Sequence, residues 1–298
     1  ARFEAMLDYW LSRVEDGFQW IGGPPCHVQH LQIPGFEPTG IGALGKEDGN
    51  FRHPLFHDRM SHFVDRVHSA GGYMGIQLLQ QGGMPSAPSP TFSGFLDHRG
   101  VHVMNHDEVK WVINEYIESA VIAERTGVDS IELHSNHDDI IEWFLSPLTN
   151  TRTDEYGGSY ANRRRFLQEI TDGIRARIKR PITFGLRLAL DQDMDGGYGL
   201  DECLRLMQSF EADGTIDYFN LDMGGNWGAI TYLQHGIYPE AAWAHMCGEA
   251  KAVTKLPVLY VGRVVHAETA EKVIADGNAD MVGMVRALIA DREWLRKT

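Results

Sequence analysis

Short apolar runs alternate with helical patterns along this chain, and the alternation narrows the choice of fold more than any other pattern. The runs occupy residues 18–22, 73–79, 130–134, 182–188, 218–222, 258–261 and 281–284. Strands that are apolar throughout and alternate with helices are typical of a parallel sheet covered by helices. No G-x-G-x-x-G opens a helix, so the pattern favours a (β/α)8 barrel over a doubly wound, dinucleotide-binding sheet.

Seven strands are one fewer than such a barrel contains. We therefore predict an α/β fold of the TIM (β/α)8 barrel type that lacks its first strand in this sequence, because residues 1–16 already read as an amphipathic helix. No low-complexity tract or linker divides the chain. Residues 1–298 are expected to form a single barrel domain, which is part of a longer chain.

Composition excludes several classes of partner. The formal net charge of −14 argues against nucleic acid or an anionic membrane surface. No apolar run of about 18 residues suggests a transmembrane helix. The three cysteines are far apart and show no C-x-x-C spacing, which is typical of a protein in a reducing compartment. We expect a cytoplasmic protein with a small-molecule substrate.

Polar residues follow several of the predicted strands. In a barrel, functional side chains come from the carboxyl ends of the strands and the loops beyond them. Buried charges at these positions would be costly unless they were paired. The residues at these positions are Gln77, His134, His137, Arg187, Trp227, Arg263 and Arg286.

Two Gly and Arg pairs follow the last two strands, in "YVGR" and "MVGMVRALIAD". Glycine lets a ligand approach the backbone closely, and arginine offers a planar fork to phosphate oxygens. Barrels often bind phosphate in the loops after their last two strands. The alternative is that Arg263 and Arg286 form ion pairs with helix carboxylates.

The pair His134 and His137 has three interpretations at this point. The two imidazoles could bind a metal, although the sequence offers no evident third ligand. They could donate hydrogen bonds to a carbonyl or anionic oxygen of a substrate. They could also be ordinary polar residues of a loop.

The motifs resemble one known family. The segment "FLSPLTNTRTDEYGGSYANRRRF", after His134-x-x-His137, is similar to the old yellow enzyme family of FMN-dependent barrel oxidoreductases. "GIQLLQQGG", "GLRLA", "YVGR" and "MVGMVRALIAD" follow the order and spacing of that family. The resemblance covers essentially the whole chain, and it is nearest the branch of trimethylamine dehydrogenase and 2,4-dienoyl-CoA reductase.

The resemblance implies that FMN lies over the mouth of the barrel. Gln77 and Arg187 would contact the flavin ring, and His134 and His137 would face the substrate above it. The segment from Arg152 to Arg163 would brace a loop and is expected to be structural. The phosphate would be held by Gly262, Arg263, Gly283 and Arg286.

One residue departs from the pattern of the family's ene-reductases, and another matches the amine-oxidising branch. These use a tyrosine two positions beyond the second histidine as a proton donor, and that position is Asp139 here. A carboxylate would suit a cationic substrate. In the amine-oxidising branch a tryptophan after the sixth strand forms part of an aromatic cage, and Trp227 matches it; aromatic faces attract alkylammonium groups. The alternative for Trp227 is simple packing of the loop.

Three functions follow from these observations. The first is FMN-dependent oxidation, with demethylation, of an N-alkylated amine or amino-acid derivative. In it His134, His137 and Asp139 would be catalytic and Trp227 would bind the substrate. The second is NAD(P)H-dependent reduction of an enoate or 2,4-dienoyl-CoA, and the third is a flavin-free barrel without catalysis.

The resemblance also bears on partners. It allows a 4Fe-4S cluster and NAD(P)H, or another electron donor or acceptor, in segments outside this sequence, and it predicts no metal site within it. A homo-oligomer is left open.

Overall fold

The computed structural model describes residues 2–28, 50–83, 86–91, 101–225 and 230–298. Within these segments lie ten strands: β1 (Trp20–Ile21), β2 (Pro25–His27), β3 (Tyr73–Leu79), β4 (Ser86–Ala87), β5 (His102–Val103), β6 (Ser130–Ser135), β7 (Thr183–Ala189), β8 (Tyr218–Asp222), β9 (Val258–Val261) and β10 (Met281–Gly283). All seven predicted strands are confirmed; three have the predicted bounds, and the ends of the others differ by one or two residues.

Eight of these strands form one parallel sheet. Its order is β1-β3-β6-β7-β8-β9-β10, and β2 also pairs with β3. In the described segments β1 and β10 have no strand on their outer sides, so the sheet is curled but open between them. This agrees with the predicted barrel in which one strand is missing. A separate pair, β4 and β5, lies in the long loop after β3.

Helices follow the strands and cover the sheet. The described segments contain ten α-helices: α1 (Arg2–Asp16), α2 (Phe56–Ser69), α3 (His106–Arg125), α4 (Ile140–Leu145), α5 (Tyr160–Arg177), α6 (Leu200–Asp213), α7 (Ala244–Lys251), α8 (Ala267–Ala275), α9 (Arg286–Ala290) and α10 (Trp294–Lys297). The longest, α3, begins with a capping box between Asn105 and Glu108. The amphipathic helix predicted at residues 1–16 is confirmed as α1, and the helical patterns between the predicted strands correspond to α2, α3, α5, α6 and α8.

Helix α4 was not predicted from the sequence. All six of its residues are buried, so no polar face reveals the helical period. Phe144 of α4 stacks on Phe166 of α5, with 4.0 Å between ring centroids. This contact fixes α4 against the barrel wall directly after the loop that carries the histidine pair.

The segment from Arg152 to Arg163, which follows α4, braces two loops, as predicted. Arg152 donates hydrogen bonds to the carbonyl oxygens of Pro88 and Met104, which belong to the long loop after β3. Asn162 and Arg163 donate to backbone carbonyls of their own loop. The loops after β3 and α4 are therefore held together on the carboxyl side of the sheet.

In the described segments, no helix is both long enough and apolar enough to cross a lipid bilayer.

Candidate active site

Four polar side chains form a hydrogen-bonded layer inside the curled sheet. Gln77 of β3 lies beside Glu132 of β6 in the strand register, and its Nε2 donates to Glu132 Oε1 at 2.7 Å. Glu132 Oε2 accepts hydrogen bonds from Tyr218 and Asn220 of β8, each at 3.0 Å. Glu132 is 8% exposed, so these bonds offset the cost of burying its charge. The layer fixes the position of Gln77.

Asp222, the last residue of β8, lies at the centre of a second set of contacts. It is 2% exposed. Arg187 of β7 donates to its Oδ2 from Nη2 at 2.5 Å and from Nε at 3.1 Å. His137 Nε2 lies 3.2 Å from the same oxygen, and Asn136 Nδ2 donates to Oδ1 at 2.5 Å. Burial opposes ionisation of Asp222, but His137 and Arg187 outweigh it and hold its pKa below the ordinary value.

The two histidines lie together at the mouth of the sheet. The ring centroids of His134 and His137 are 5.5 Å apart, and each side chain is 12% exposed. Tyr232 packs edge-on against His137, with 4.7 Å between the centroids. Burial, together with the charges of His137 and Arg187, lowers the pKa of His134 well below its usual value. His134 is therefore a neutral ring at neutral pH.

Asp139 occupies a different position from the one we expected. Its side chain is the N-cap of α4, with Oδ1 accepting from Ile141 N and from the Tyr116 hydroxyl. Oδ2 accepts from Gln80 N and lies 3.5 Å from His134 Nδ1. The carboxyl group is 1% exposed and points into the protein. Its contact with the histidine pair is the one with His134.

Two further buried acids lie behind the histidines. Asp138 is 1% exposed, and Trp143 Nε1 donates to its Oδ1 at 3.3 Å. Among the described residues, Asp138 Oδ2 and Glu142 Oε1 have no hydrogen-bond partner. Burial raises the pKa of Asp138 to about 7, and burial and the charge of Asp138 raise the pKa of Glu142 well above its usual value. His137 and Asp138 also have positive φ angles of 54° and 64°. This turn carries backbone strain of the kind that is common at functional sites.

The substitution Asp138→Asn should remove a pH-dependent loss of stability. An acid whose pKa rises on folding costs nothing below about pH 4. Its cost grows as pH rises towards about 7, because only the unfolded chain ionises freely. The shift from 3.8 to about 7 sets an upper bound of about 4 kcal/mol. Since the loop can relax, we expect less than this bound. The free energy of unfolding of the variant, relative to that of wild type, should be about 2 kcal/mol higher at pH 8 than at pH 4.

Urea unfolding at the two pH values measures this difference. The matched control is Asp195→Asn, which replaces an exposed aspartate and should run parallel to wild type. Parallel curves for Asp138→Asn and wild type would show that Asp138 titrates normally.

The predicted phosphate residues lie at the ends of β9 and β10. Among the described residues, neither Arg263 nor Arg286 forms an ion pair with a carboxylate, which is contrary to the alternative considered above. Arg286 donates to the carbonyl oxygen of Gln234 at 3.1 Å. A Cβ atom on Gly262 would lie 2.3 Å from Tyr260 Oη, so only glycine fits there.

These residues fit the FMN that the family resemblance implies. The arginines provide two charges for a phosphate, and the buried Gln234 Oε1 is an acceptor that has no donor among the described residues. Gln77, Arg187 and Gly283 line one cavity of about 440 Å³, which runs through the sheet interior to Trp20 and to Trp10 of α1. Arg263, Arg286 and Gly262 could hold the phosphate, while Gln77 and Arg187 could hold the ring.

The sequence-based prediction missed several residues of the site. Glu132 and Asp222 lie within predicted strands. A charged residue in such an apolar run needs a buried partner, and this could have marked both residues. Asn136, Tyr232 and Gln234 lie in loops, and no sequence pattern marks them. Trp227, predicted to bind substrate, lies outside the described residues.

Comparison with known proteins supports the resemblance. A multifunctional alkene reductase/demethylase OYE of Caballeronia cordobensis is 31% identical over 77% of this chain and 35% of that protein. An N,N-dimethylglycine/sarcosine dehydrogenase of Chromohalobacter salexigens is 30% identical over 78% of this chain and 35% of that protein. The chain thus spans about a third of the length of these curated relatives.

A solved structure with the same fold is a 2-naphthoyl-CoA reductase in complex with 2-naphthoyl-CoA. It superposes with a TM-score of 0.85 at 24% identity, over 98% of this chain and 46% of that one. The sequence profile of the NADH:flavin oxidoreductase / NADH oxidase family matches residues 58–298. The chain therefore belongs to the NADH:flavin oxidoreductase / NADH oxidase family, whose cofactor is FMN.

Proposed function

We propose that the protein is an FMN-dependent oxidoreductase that demethylates an N-methylated amine or amino-acid derivative. The observation that carries the proposal is the contact of His137 with the ionised, buried Asp222 at 3.2 Å. This carboxylate holds the His137 ring at the mouth of the barrel, where the ring can bind the polar end of an N-methylated substrate. The dimethylglycine/sarcosine dehydrogenase and the alkene reductase/demethylase point to the same class of substrate.

The proposed chemistry removes a methyl group as formaldehyde. When bound, FMN would supply the acceptor for a hydride from the carbon next to nitrogen. The amine must first lose its ammonium proton, because the nitrogen lone pair assists departure of the hydride. The neutral ring of His134 can accept a hydrogen bond from the ammonium group while its proton leaves to solvent, and the pair of His137 with Asp222 can hold the polar end of the substrate. Water then converts the iminium to the demethylated amine and formaldehyde.

The proposal includes two features that lie outside the described residues. Trp227 would offer an aromatic face to the alkylated nitrogen. The two electrons would pass to a separate partner, such as a 4Fe-4S cluster outside this sequence, NAD(P)⁺ or another acceptor. A cytoplasmic location and a homo-oligomer remain predictions.

The test is anaerobic mixing of the full-length, flavin-loaded protein with sarcosine, N,N-dimethylglycine and N-methylproline. We expect these amines to bleach the flavin absorbance, and the matched controls glycine and proline to leave it unchanged. If none of the methylated amines bleaches the flavin, the demethylase proposal fails.

The substitution His137→Phe should slow this bleaching by roughly thirty-fold. It keeps a ring at this position and removes the hydrogen bond to the charged Asp222, and such a bond contributes about 1.5–3 kcal/mol. Stopped-flow absorbance measures the rate. The control variant is His102→Phe, because His102 is an exposed residue that pairs with Glu108. An unchanged rate in His137→Phe would place the substrate elsewhere.

A second candidate function is reduction of an activated alkene, and Tyr232 favours it. Its ring packs against His137 at the mouth, and burial raises the pKa of its phenol, which stays protonated. The phenol could then donate the proton that Asp139 is not placed to give. In this case NAD(P)H would bleach the flavin, an enone would restore its colour, and Tyr232→Phe would slow the second step.

A further inference from the structure

Asp222 contacts both Arg187, which would face the flavin ring, and His137, which would face the substrate. Its Oδ2 accepts two hydrogen bonds from Arg187 and lies 3.2 Å from His137 Nε2, so one oxygen serves both groups. Asn136 binds the other oxygen at 2.5 Å. With all of these contacts in place and 2% exposure, the carboxylate has little freedom to move.

Arg187 faces a second acid as well. Glu132, held by Gln77, Tyr218 and Asn220, lies near enough to act on its charge. Burial opposes the charge of Arg187, but the two carboxylates outweigh it and raise the pKa of the arginine. The guanidinium therefore stays charged. The Asp222 carboxylate, which contacts it, neutralises much of that charge.

We propose that Asp222 is a positioning residue that sets how easily the bound flavin is reduced. Reduced flavin carries negative charge near N1, and a neighbouring arginine stabilises it. Asp222 offsets that arginine and so keeps the flavin harder to reduce than Arg187 alone would make it. The same carboxylate orients His137, so one residue sets both the electron affinity and the substrate-binding geometry. This inference rests on the proposed placement of FMN beside Arg187.

The physical basis is the low local polarity of the site. Charges at contact distance in a buried environment interact several times more strongly than they do in water. Removing the charge of Asp222 while keeping its shape takes away the carboxylate that contacts Arg187 and leaves the weaker effect of Glu132. The equilibrium for flavin reduction should then shift towards the reduced form.

The experiment titrates flavin-loaded, full-length protein against a redox dye of known potential. We expect Asp222→Asn to raise the equilibrium constant for flavin reduction at least about ten-fold, since one charge at contact distance is removed. Asp222→Ser should also raise this equilibrium constant. A rise in both variants would show that the effect does not come from the new amide group. The matched control is Asp217→Asn, at the other end of the same strand, where Asp217 pairs with Arg175 at 2.6 Å. That variant should leave the constant unchanged.

A second arm tests whether Arg187 carries the effect. In a background of Arg187→Gln, the further change Asp222→Asn should alter the equilibrium constant less than three-fold. An equal shift with and without Arg187 would overturn the proposal. So would loss of flavin from both Asp222 variants, because the residue would then hold the cofactor instead of setting its reduction. The titration uses no substrate, so failure of the amines to bleach the flavin would leave this result standing.

Discussion

Replacement of both Arg263 and Arg286 by glutamine should weaken FMN binding roughly a thousand-fold. Each arginine would contribute a charge-assisted hydrogen bond to the phosphate, and such bonds are worth about 1.5–3 kcal/mol. Two of them together correspond to about 4 kcal/mol, which is three powers of ten. Neither arginine has a carboxylate partner among the described residues, so their charges are available to a ligand.

Fluorescence titration of FMN into flavin-depleted, full-length protein measures this loss. Riboflavin is the matched ligand, because it has the same ring and lacks the phosphate. Its affinity should change little in the double variant. Arg292→Gln, which removes an exposed arginine of the same region, should bind FMN as wild type does. Equal losses for FMN and riboflavin would mean that the arginines support the fold and do not bind the phosphate.

Replacement of Asp139 by alanine should lower the free energy of unfolding by at least about 3 kcal/mol. The change removes the N-cap of α4, which is worth about 1 kcal/mol. It also leaves the Tyr116 hydroxyl and the Gln80 amide without this acceptor inside the protein, at about 1–3 kcal/mol each. Asp139→Asn keeps one oxygen and should lose about half as much.

Chemical denaturation measures both variants, and anaerobic substrate mixing separates structure from catalysis. If Asp139→Asn folds well and still bleaches with an amine, Asp139 acts through α4 and His134. If Asp139→Ala keeps its stability but loses all turnover, the residue meets the substrate, as the sequence-based prediction held.

The sequence was most informative where one physical rule acts locally. Strands β3, β8 and β9 were predicted with their observed bounds, because continuous apolar runs bounded by turn residues leave few other conformations. The helical patterns of α3 and α5 could be read because apolar residues at three- and four-residue spacing indicate an amphipathic helix. Helix α4 was missed because it is buried on every side, so burial removes the polar face that a periodic pattern needs.

The residues of the site likewise divide into those that local sequence predicts and those that it does not. The positions of Arg263 and Arg286 after β9 and β10 could be predicted from the pairing of glycine with arginine, and phosphate binding by these loops stays a prediction. His134 and His137 could be predicted because they follow a strand. Which way Asp139 points could not be predicted, because the choice between a helix cap and the substrate depends on Tyr116 and Gln80, which are distant in sequence.

The order of strands and helices, and the family, could be read from the sequence alone. The contacts of Asp222 with Arg187 and His137, and the support of Gln77 by Glu132, are visible only in the folded protein. These pairings depend on strand register and on the approach of residues 35 and more positions apart. The physical reason is that a buried charge is stable only next to its partner, and the partner is chosen by packing in three dimensions.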